Sequence, residues 1–243
     1  MGKIKFSIAV ATFNSAATIE ELLSSIYNQN YEDYEVIFID GKSKDNTLNI
    51  IKKYLRSQDI LVSEPDNGVY DAMNKALGLA TGDFLIFMGS DDHFLSWSVL
   101  SNIAKFINTT GMDNTVYYGN VLMEAYHSIW NKNHSLWDWT RGTICHQALF
   151  YPKSIYKKYQ YDTKYRINAD YDYNLRIYKD VHYRHVNVLI SYFSSAGLSG
   201  NNHVDVEWQK DWPKKIKTNL GFMPYIYRII RRTARLIFKG SKF

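Results

Sequence analysis

Through the first hundred residues, short apolar runs of strand character alternate with segments whose apolar positions recur every three or four residues. Phe6–Thr12, Tyr34–Asp40, Ile60–Ser63 and the run 84–88 read as strands, rich in β-branched and aromatic residues and bounded by turn formers. Between them, 18–28, 47–56 and 69–80 read as helices. Thr18 and Glu21 stand at capping-box spacing in the first, and Gly82 ends the third. A further helix is expected over 97–108. This alternation predicts a doubly wound α/β domain with a mostly parallel sheet. Beyond Gly111 the order loosens. Thr115–Met123, Leu149–Pro152 and His182–Phe193 read as strands, and 153–159 and 169–178 as helices. The segment 126–143 has no assignable period and carries Trp130, Trp137 and Trp139.

Composition narrows the class. A chain of 243 residues, 46% hydrophobic with a mean hydropathy of −0.34, suits one large globular domain with an appendage. No run approaches the about 20 apolar residues that span a bilayer. The opening Met1-Gly2-Lys3-Ile4-Lys5-Phe6 runs straight into the first strand, so no signal peptide is expected. A single cysteine, Cys145, excludes an internal disulfide and suits a reducing compartment. A cytoplasmic location is the expectation.

The net charge of +5 is unevenly spread. From Pro213 to Phe243 there are nine Lys and Arg residues and no acid, leaving 20 bases against 24 acids elsewhere. Residues 206–243 are therefore set apart as a basic helical extension of a domain spanning 1–205. At 100° per residue, Met223, Ile226, Ile229, Ile230, Thr233 and Ile237 share one face, and Arg228, Arg231, Arg232, Arg235 and Lys239 the other. Such a helix fits an anionic membrane interface, or docks on the domain with its arginines in water. No nucleic-acid partner is expected, because no RNA module accompanies the tail.

Three polar loops follow strands in the first half: Thr12-Phe13-Asn14-Ser15, Asp40-Gly41-Lys42-Ser43-Lys44-Asp45-Asn46-Thr47, and Gly89-Ser90-Asp91-Asp92. Loops at the carboxyl ends of parallel strands converge on one crevice. Adjacent Asp91 and Asp92 repel each other, and a hard divalent cation with phosphate oxygens in its shell would relieve that. The plainer alternative is an acidic turn that caps the next helix.

These loops carry a resemblance. The chain resembles family 2 glycosyltransferases of the GT-A fold, a Rossmann-like fold for nucleotide-diphospho-sugars. The matching segments are Ser7-Ile8-Ala9-Val10-Ala11-Thr12-Phe13-Asn14, the second loop with its strand, Glu64-Pro65-Asp66-Asn67-Gly68-Val69-Tyr70-Asp71-Ala72-Met73-Asn74-Lys75-Ala76, and Ala80-Thr81-Gly82-Asp83 with Ser90-Asp91-Asp92. Together they cover about the first 95 residues, the nucleotide-sugar half; residues 96–205 would form the acceptor and catalytic half. The third segment is similar to a donor-side helix of a non-processive subgroup from polysaccharide gene clusters.

The resemblance implies an inverting transfer of one sugar from a nucleoside diphosphate, with uridine the favoured base, to a hydroxyl of a lipid-linked or surface-polysaccharide glycan. It places Thr12, Phe13, Asn14, Asp40, Asp66, Asn74, Lys75, Ser90 and Asp91 on the donor. Asp92, with Asp91, would hold Mn²⁺ or Mg²⁺. Asp170, in Asn168-Ala169-Asp170-Tyr171-Asp172, matches the general base, and Asp172 should point elsewhere because positions two apart on a helix diverge. His146-Gln147 matches a pair on the active-site wall, and His203 is a further candidate from a glycine-rich neighbourhood. Three departures stand out: Gly89 and Ala169 replace frequent acids, and Gly41 replaces a frequent second acid after Asp40. The missing acids at Gly89 and Ala169 motivate an alternative, a catalytically silent nucleotide-sugar-binding scaffold. A nucleotidyltransferase is disfavoured, since the first loop has no basic residue for a triphosphate.

Overall fold

The computed structural model describes residues 3–111, 114–130, 132–194 and 204–240. Four strands, β1 (Phe6–Thr12), β2 (Tyr34–Asp40), β3 (Ile60–Ser63) and β4 (Phe84–Gly89), lie parallel in the order β3-β2-β1-β4. Their near-continuous apolar runs follow from burial on both faces. Alternate residues sort to opposite sides. Ala9, Ile37, Ile39, Leu85 and Phe87 join one core cluster, and Ile8, Val10, Val36, Phe38, Ile86 and Met88 the other.

Helices α1 (Ile19–Tyr27), α2 (Thr47–Tyr54) and α4 (Val99–Thr110) cover the second cluster, and α3 (Val69–Leu79) covers the first. The helical periods predicted from sequence hold, with ends shifted by one to two residues. The predicted Thr18–Glu21 capping box does not form. The Thr18 hydroxyl turns back to the Ser15 carbonyl at 3.4 Å, and that same carbonyl takes the Thr18 and Ile19 N–H groups.

Beyond β4 the sheet is mixed, so the expectation of a mostly parallel sheet holds only for its first half. Strand β8 (Leu149–Pro152) runs antiparallel between β4 and β6 (Thr115–Met123), and β9 (His182–Phe193) lies parallel to β6. The two-residue β5 (His93–Phe94) pairs antiparallel with the end of β9, and β7 (Ser128–Trp130) folds back on β6. Short helices α5 (Leu136–Trp139) and α6 (Lys153–Tyr156) and the longer α7 (Ala169–Ile177) complete this half. A capping box that the pattern reading passed over, Ser135 with Asp138, starts α5.

The segment after 205 is two helices of different character, separated at Gly221, whose φ of +103° suits a residue without Cβ. Helix α8 (Val206–Leu220) buries Trp208, Trp212 and Ile216 in the same core as α3 and α7. Asp205 caps it through the Trp208 N–H. Lys215 reaches back to the buried Asp172 at 2.6 Å, which Arg176 also engages at 2.7 Å. Asp172 thus points away from Asp170, as helical geometry required.

Helix α9 (Phe222–Gly240) docks with part of its basic side inward. Arg228 turns into the domain, while Met223 and Ile230 are 67% and 62% exposed. This corrects the sequence expectation that all five cations share a free polar face. The side chains of Ile237 and Lys239 lie outside those described. Among the described residues no helix is long and apolar enough to cross a membrane.

Candidate active site

Strand register brings the three loops together. Thr12 pairs with Asp40, and Ala11 with Gly89, so β1, β2 and β4 end at one edge. The first two loops are stitched by Asn14, whose N–H donates to Ser43 Oγ at 2.8 Å and whose Oδ1 accepts from the Lys44 N–H at 2.9 Å. Asn14 takes a φ of +49°, a region in which asparagine is among the more tolerant side chains. Above this edge lies a cavity of about 840 Å³.

Thr12, Phe13, Asn14 and Asp66 are among the residues that line it. Thr12 Oγ1 is buried there with no hydrogen-bond partner among the described residues, a polar atom that a ligand group would satisfy. Asp40 is fully buried and spent on its own loop. It accepts from Ser43 Oγ at 2.5 Å, from the Ser43 N–H at 2.9 Å and from Ser63 Oγ at 2.6 Å, and it does not reach the cavity wall. The carboxylate that does is Asp66. A Cβ on Gly41 would stand 2.7 Å from Asp66 Oδ2, so the missing second acid is the space that Asp66 uses. Asn74 and Lys75 also lie off the wall. Asn74 exchanges two hydrogen bonds with the Tyr161 backbone, and Lys75 pairs with Glu64 at 2.9 Å.

The acidic turn forms the floor. Asp92 is buried and caps no helix, since α4 starts after Ser98. Its Oδ2 accepts from the Gly89 N–H at 3.1 Å and from Gln147 Nε2 at 2.6 Å, and its Oδ1 from the Ser194 N–H at 3.0 Å. The β5–β9 pairing is what carries Ser194 to this place. Burial pushes the Asp92 carboxyl up, the neighbouring Asp91 adds to that, and the Ser194 and Gln147 hydrogen bonds oppose it. Asp91 is half-buried on the wall, and Ser90 Oγ meets Ser15 Oγ at 2.8 Å. A Cβ on Gly89 would fall 2.5 Å from Asp92 Oδ2 and 2.9 Å from Asp91 Oδ1. The acid expected there is thus excluded by the two that follow.

Among the described residues no cluster of three or more metal-binding side chains forms. Asp91 and Asp92 still offer an oxygen-only donor set of the kind hard cations take, with phosphate and water to complete it.

The same cavity is lined by the candidate base. A one-turn 3₁₀ helix over His146–Ala148 aims neighbouring side chains at different acids: Gln147 at Asp92, and His146 Nδ1 at Asp170 Oδ2, 3.8 Å away. Asp170 is not the helix cap, which is Asn168. Its Oδ1 accepts from the Tyr171 N–H at 2.8 Å and from Tyr70 Oη at 3.3 Å. Asn174 donates at 3.0 Å both to Thr143 Oγ1 and to the Asp170 carbonyl, tying α7 to the loop before His146. Ala169 is wholly buried in the core, so a Glu there would bury a charge. The missing acids at 41, 89 and 169 thus follow from local packing and do not argue for a lost activity.

Nine expected residues, Thr12, Phe13, Asn14, Asp66, Ser90, Asp91, Asp92, His146 and Gln147, share this cavity with Asp170. His203 lies outside the described residues. Sequence reasoning passed over Tyr70, Met123, Trp130, Thr143, Arg166 and Phe193 on the wall. Only Tyr70, inside the quoted donor-side segment, carried a signal.

The chain matches the family model for glycosyl transferase family 2 over residues 7–182. A PGL/p-HBAD biosynthesis glycosyltransferase from Mycobacterium bovis is 36% identical over 244 residues, covering 96% of this chain and 92% of that protein. The structure of Staphylococcus aureus TarS 1-349 in complex with UDP-GlcNAc aligns with a TM-score of 0.71 at 20% identity, over 89% of this chain and 67% of that one. Against the longer TarS structure the match spans only 44% of that chain. A mannosyltransferase from Pyrobaculum calidifontis in complex with GDP-Man and Mn²⁺ aligns with a TM-score of 0.62 at 18% identity, covering 95% and 65%. These structures share the GT-A fold of mixed α/β type expected from the sequence. With strand-end loops, acidic turn and family model in agreement, the chain belongs to glycosyltransferase family 2.

Proposed function

We propose that this glycosyltransferase moves one hexosyl or N-acetylhexosaminyl unit, with inversion and without processivity, from a UDP-sugar to a hydroxyl of a lipid-linked or surface-polysaccharide glycan. The observation that carries this reading is that Asp91, Asp92 and Asp170 line one cavity, with neighbouring Gln147 and His146 reaching Asp92 and Asp170 respectively. A donor laid along Thr12, Phe13, Asn14 and Asp66 puts its diphosphate toward Ser90, Asp91 and Asp92. Its anomeric carbon then faces Asp170. There the carboxylate takes the acceptor's hydroxyl proton as the acceptor oxygen bonds to the anomeric carbon and the bond to the diphosphate breaks on the opposite face. His146 holds Asp170 in place beside this centre. Mn²⁺ or Mg²⁺ held by Asp92 and Asp91 would neutralise charge on the departing diphosphate.

Uridine is supported by the UDP-GlcNAc complex of TarS, and a polymeric acceptor by that protein's name, poly(ribitol-phosphate) beta-N-acetylglucosaminyltransferase. The Mn²⁺ of the Pyrobaculum complex supports the metal. Helix α9 supports a place at the inner face of the cell membrane: Phe222, Met223, Ile229 and Ile230 are exposed on a helix that also carries Arg232 and Arg235.

A panel of nucleoside-diphosphate sugars with Mn²⁺ tests the donor. UDP-sugars should raise the melting temperature most. Asp170→Asn should keep that rise and lose roughly 10²–10⁴-fold in transfer. Transfer by Asp170→Asn within twofold of the parent would remove Asp170 as the base.

A further inference from the structure

We infer that Arg228 of the C-terminal helix is a positioning residue for the Asp170–His146 pair, so that α9 belongs to the catalytic unit and not only to a membrane contact. This rests on Asp170 being the base. The sequence gives Arg228 no distinction from the other tail cations, yet its side chain turns into the domain and reaches the end of α5. One nitrogen, Nη1, donates to the Thr140 carbonyl at 2.5 Å and to Tyr171 Oη at 3.0 Å. The guanidinium carbon lies 4.3 Å from the ring centroid of Trp212 on α8. The Tyr171 hydroxyl in turn donates to the Trp139 carbonyl. The arginine and the phenol together thus satisfy the two carbonyls that close α5, groups that a helix end leaves without partners.

Those two carbonyls start the segment that carries Thr143, His146 and Gln147. Tyr171 adjoins Asp170 and gives its own N–H to the Asp170 carboxylate at 2.8 Å. Arg228 therefore sits where the chain bearing His146 and the chain bearing Asp170 meet, and Asn174 joins the same two chains one turn further on. Arg228 is absent from the cavity wall, so it acts through these segments and touches no reacting group. Without it, the Thr140 carbonyl loses its donor and the tether between the two segments loosens. Tyr171 would stay packed on Trp208, 4.8 Å between ring centroids, so the fold should survive. Among the described residues Arg231 hydrogen-bonds only Tyr227 of its own helix, at 3.4 Å, and serves as the matched control.

The test uses the full chain, a short water-soluble acceptor and no vesicles, which removes any membrane contribution. Arg228→Gln should lower kcat at least tenfold, leave the donor KM within twofold and shift the acidic limb of the kcat–pH profile. Arg228→Lys should recover most of the loss, since an ammonium still donates to the Thr140 carbonyl. Tyr171→Phe should lower kcat in the same manner, and the double variant should lose less than the product of the two single losses. Should Arg228→Gln fail to fold, Tyr171→Phe and Arg228→Lys carry the test. The inference is overturned if Arg228→Gln matches Arg231→Gln in kcat, or if its loss tracks only the unfolded fraction with an unchanged pH profile. Asp170→Asn run alongside separates the two failures. Retained turnover there overturns the base reading and this inference together, whereas an inactive Asp170→Asn beside an unaffected Arg228→Gln overturns the positioning role alone.

Discussion

Gly89 and Gly41 look like losses when the chain is read residue by residue, because acids often stand at their positions in the resembling family. In the folded protein each is a site of close approach. Asp91 and Asp92 lie over Gly89, and Asp66 lies over Gly41. A single methyl group at 89 would force Asp92 out of its hydrogen bonds with Gln147 and Ser194. Gly89→Ala should therefore cut transfer more than tenfold with little change in melting temperature, whereas Gly41→Ala should act mainly on donor KM by displacing Asp66. Near-parental kcat and KM in both variants would show that the carboxylates tolerate the added carbon. Which acids are candidates was legible in the motif order. Which of them faces the cavity was not, because Asp40 and Asp66 differ only in the company their side chains keep.

Elements were more legible than side chains. The bounds of β1, β2, β3, β6, β8 and β9 fall where apolar runs meet turn residues, since a buried strand writes its pattern locally. The segment 126–143 was opaque for the opposite reason: it is held by long-range contacts. His134 shows how. Its ring lies 4.5 Å from that of Trp139, its Nδ1 is buried without a partner among the described residues, and its backbone N–H donates to the Tyr118 hydroxyl oxygen at 2.8 Å. Burial lowers its pKa to about 4, against a weak contact with the Gly142 carbonyl that raises it. With the folded value below the unfolded one, this stability is fully present above about pH 6.5 and is lost as pH falls through about 4. Between pH 7.5 and 4.5 the site should cost the fold about 2.5 kcal/mol, and His134→Gln should flatten that part of the urea-derived stability profile. An equal slope in parent and variant would place the neutral histidine elsewhere.

At the scale of the whole molecule, the C-terminal residues join two tasks. Helix α8 closes the core over α7 through Trp208, Trp212 and the Lys215–Asp172 pair, while α9 leaves an apolar strip outward. Full-length protein should pellet with anionic vesicles at low salt and release as salt rises. A Met223→Asp, Ile230→Asp double variant should weaken that binding at least tenfold, because both side chains are exposed and would enter the lipid boundary. Pelleting equal to the parent would assign the strip to another partner. The amphipathic pattern was plain in the sequence; its rotation about the helix axis was not, since the ring of Trp212 and the end of α5 draw Arg228 inward.

The order of strands and loops, the acidic turn and the family it belongs to were all set down in contiguous stretches of chain, where periodicity and turn chemistry act over a few residues. The assembly of the site came from elsewhere. Gln147 and Ser194 meet Asp92 across 55 and 102 positions, and Tyr70 meets Asp170 across 100. Such meetings depend on β8 entering beside β4 and β9 returning along β6, arrangements governed by how whole faces bury against each other. A local pattern carries the propensity to form each piece, and only the packed core settles which side chains are left facing the same cavity.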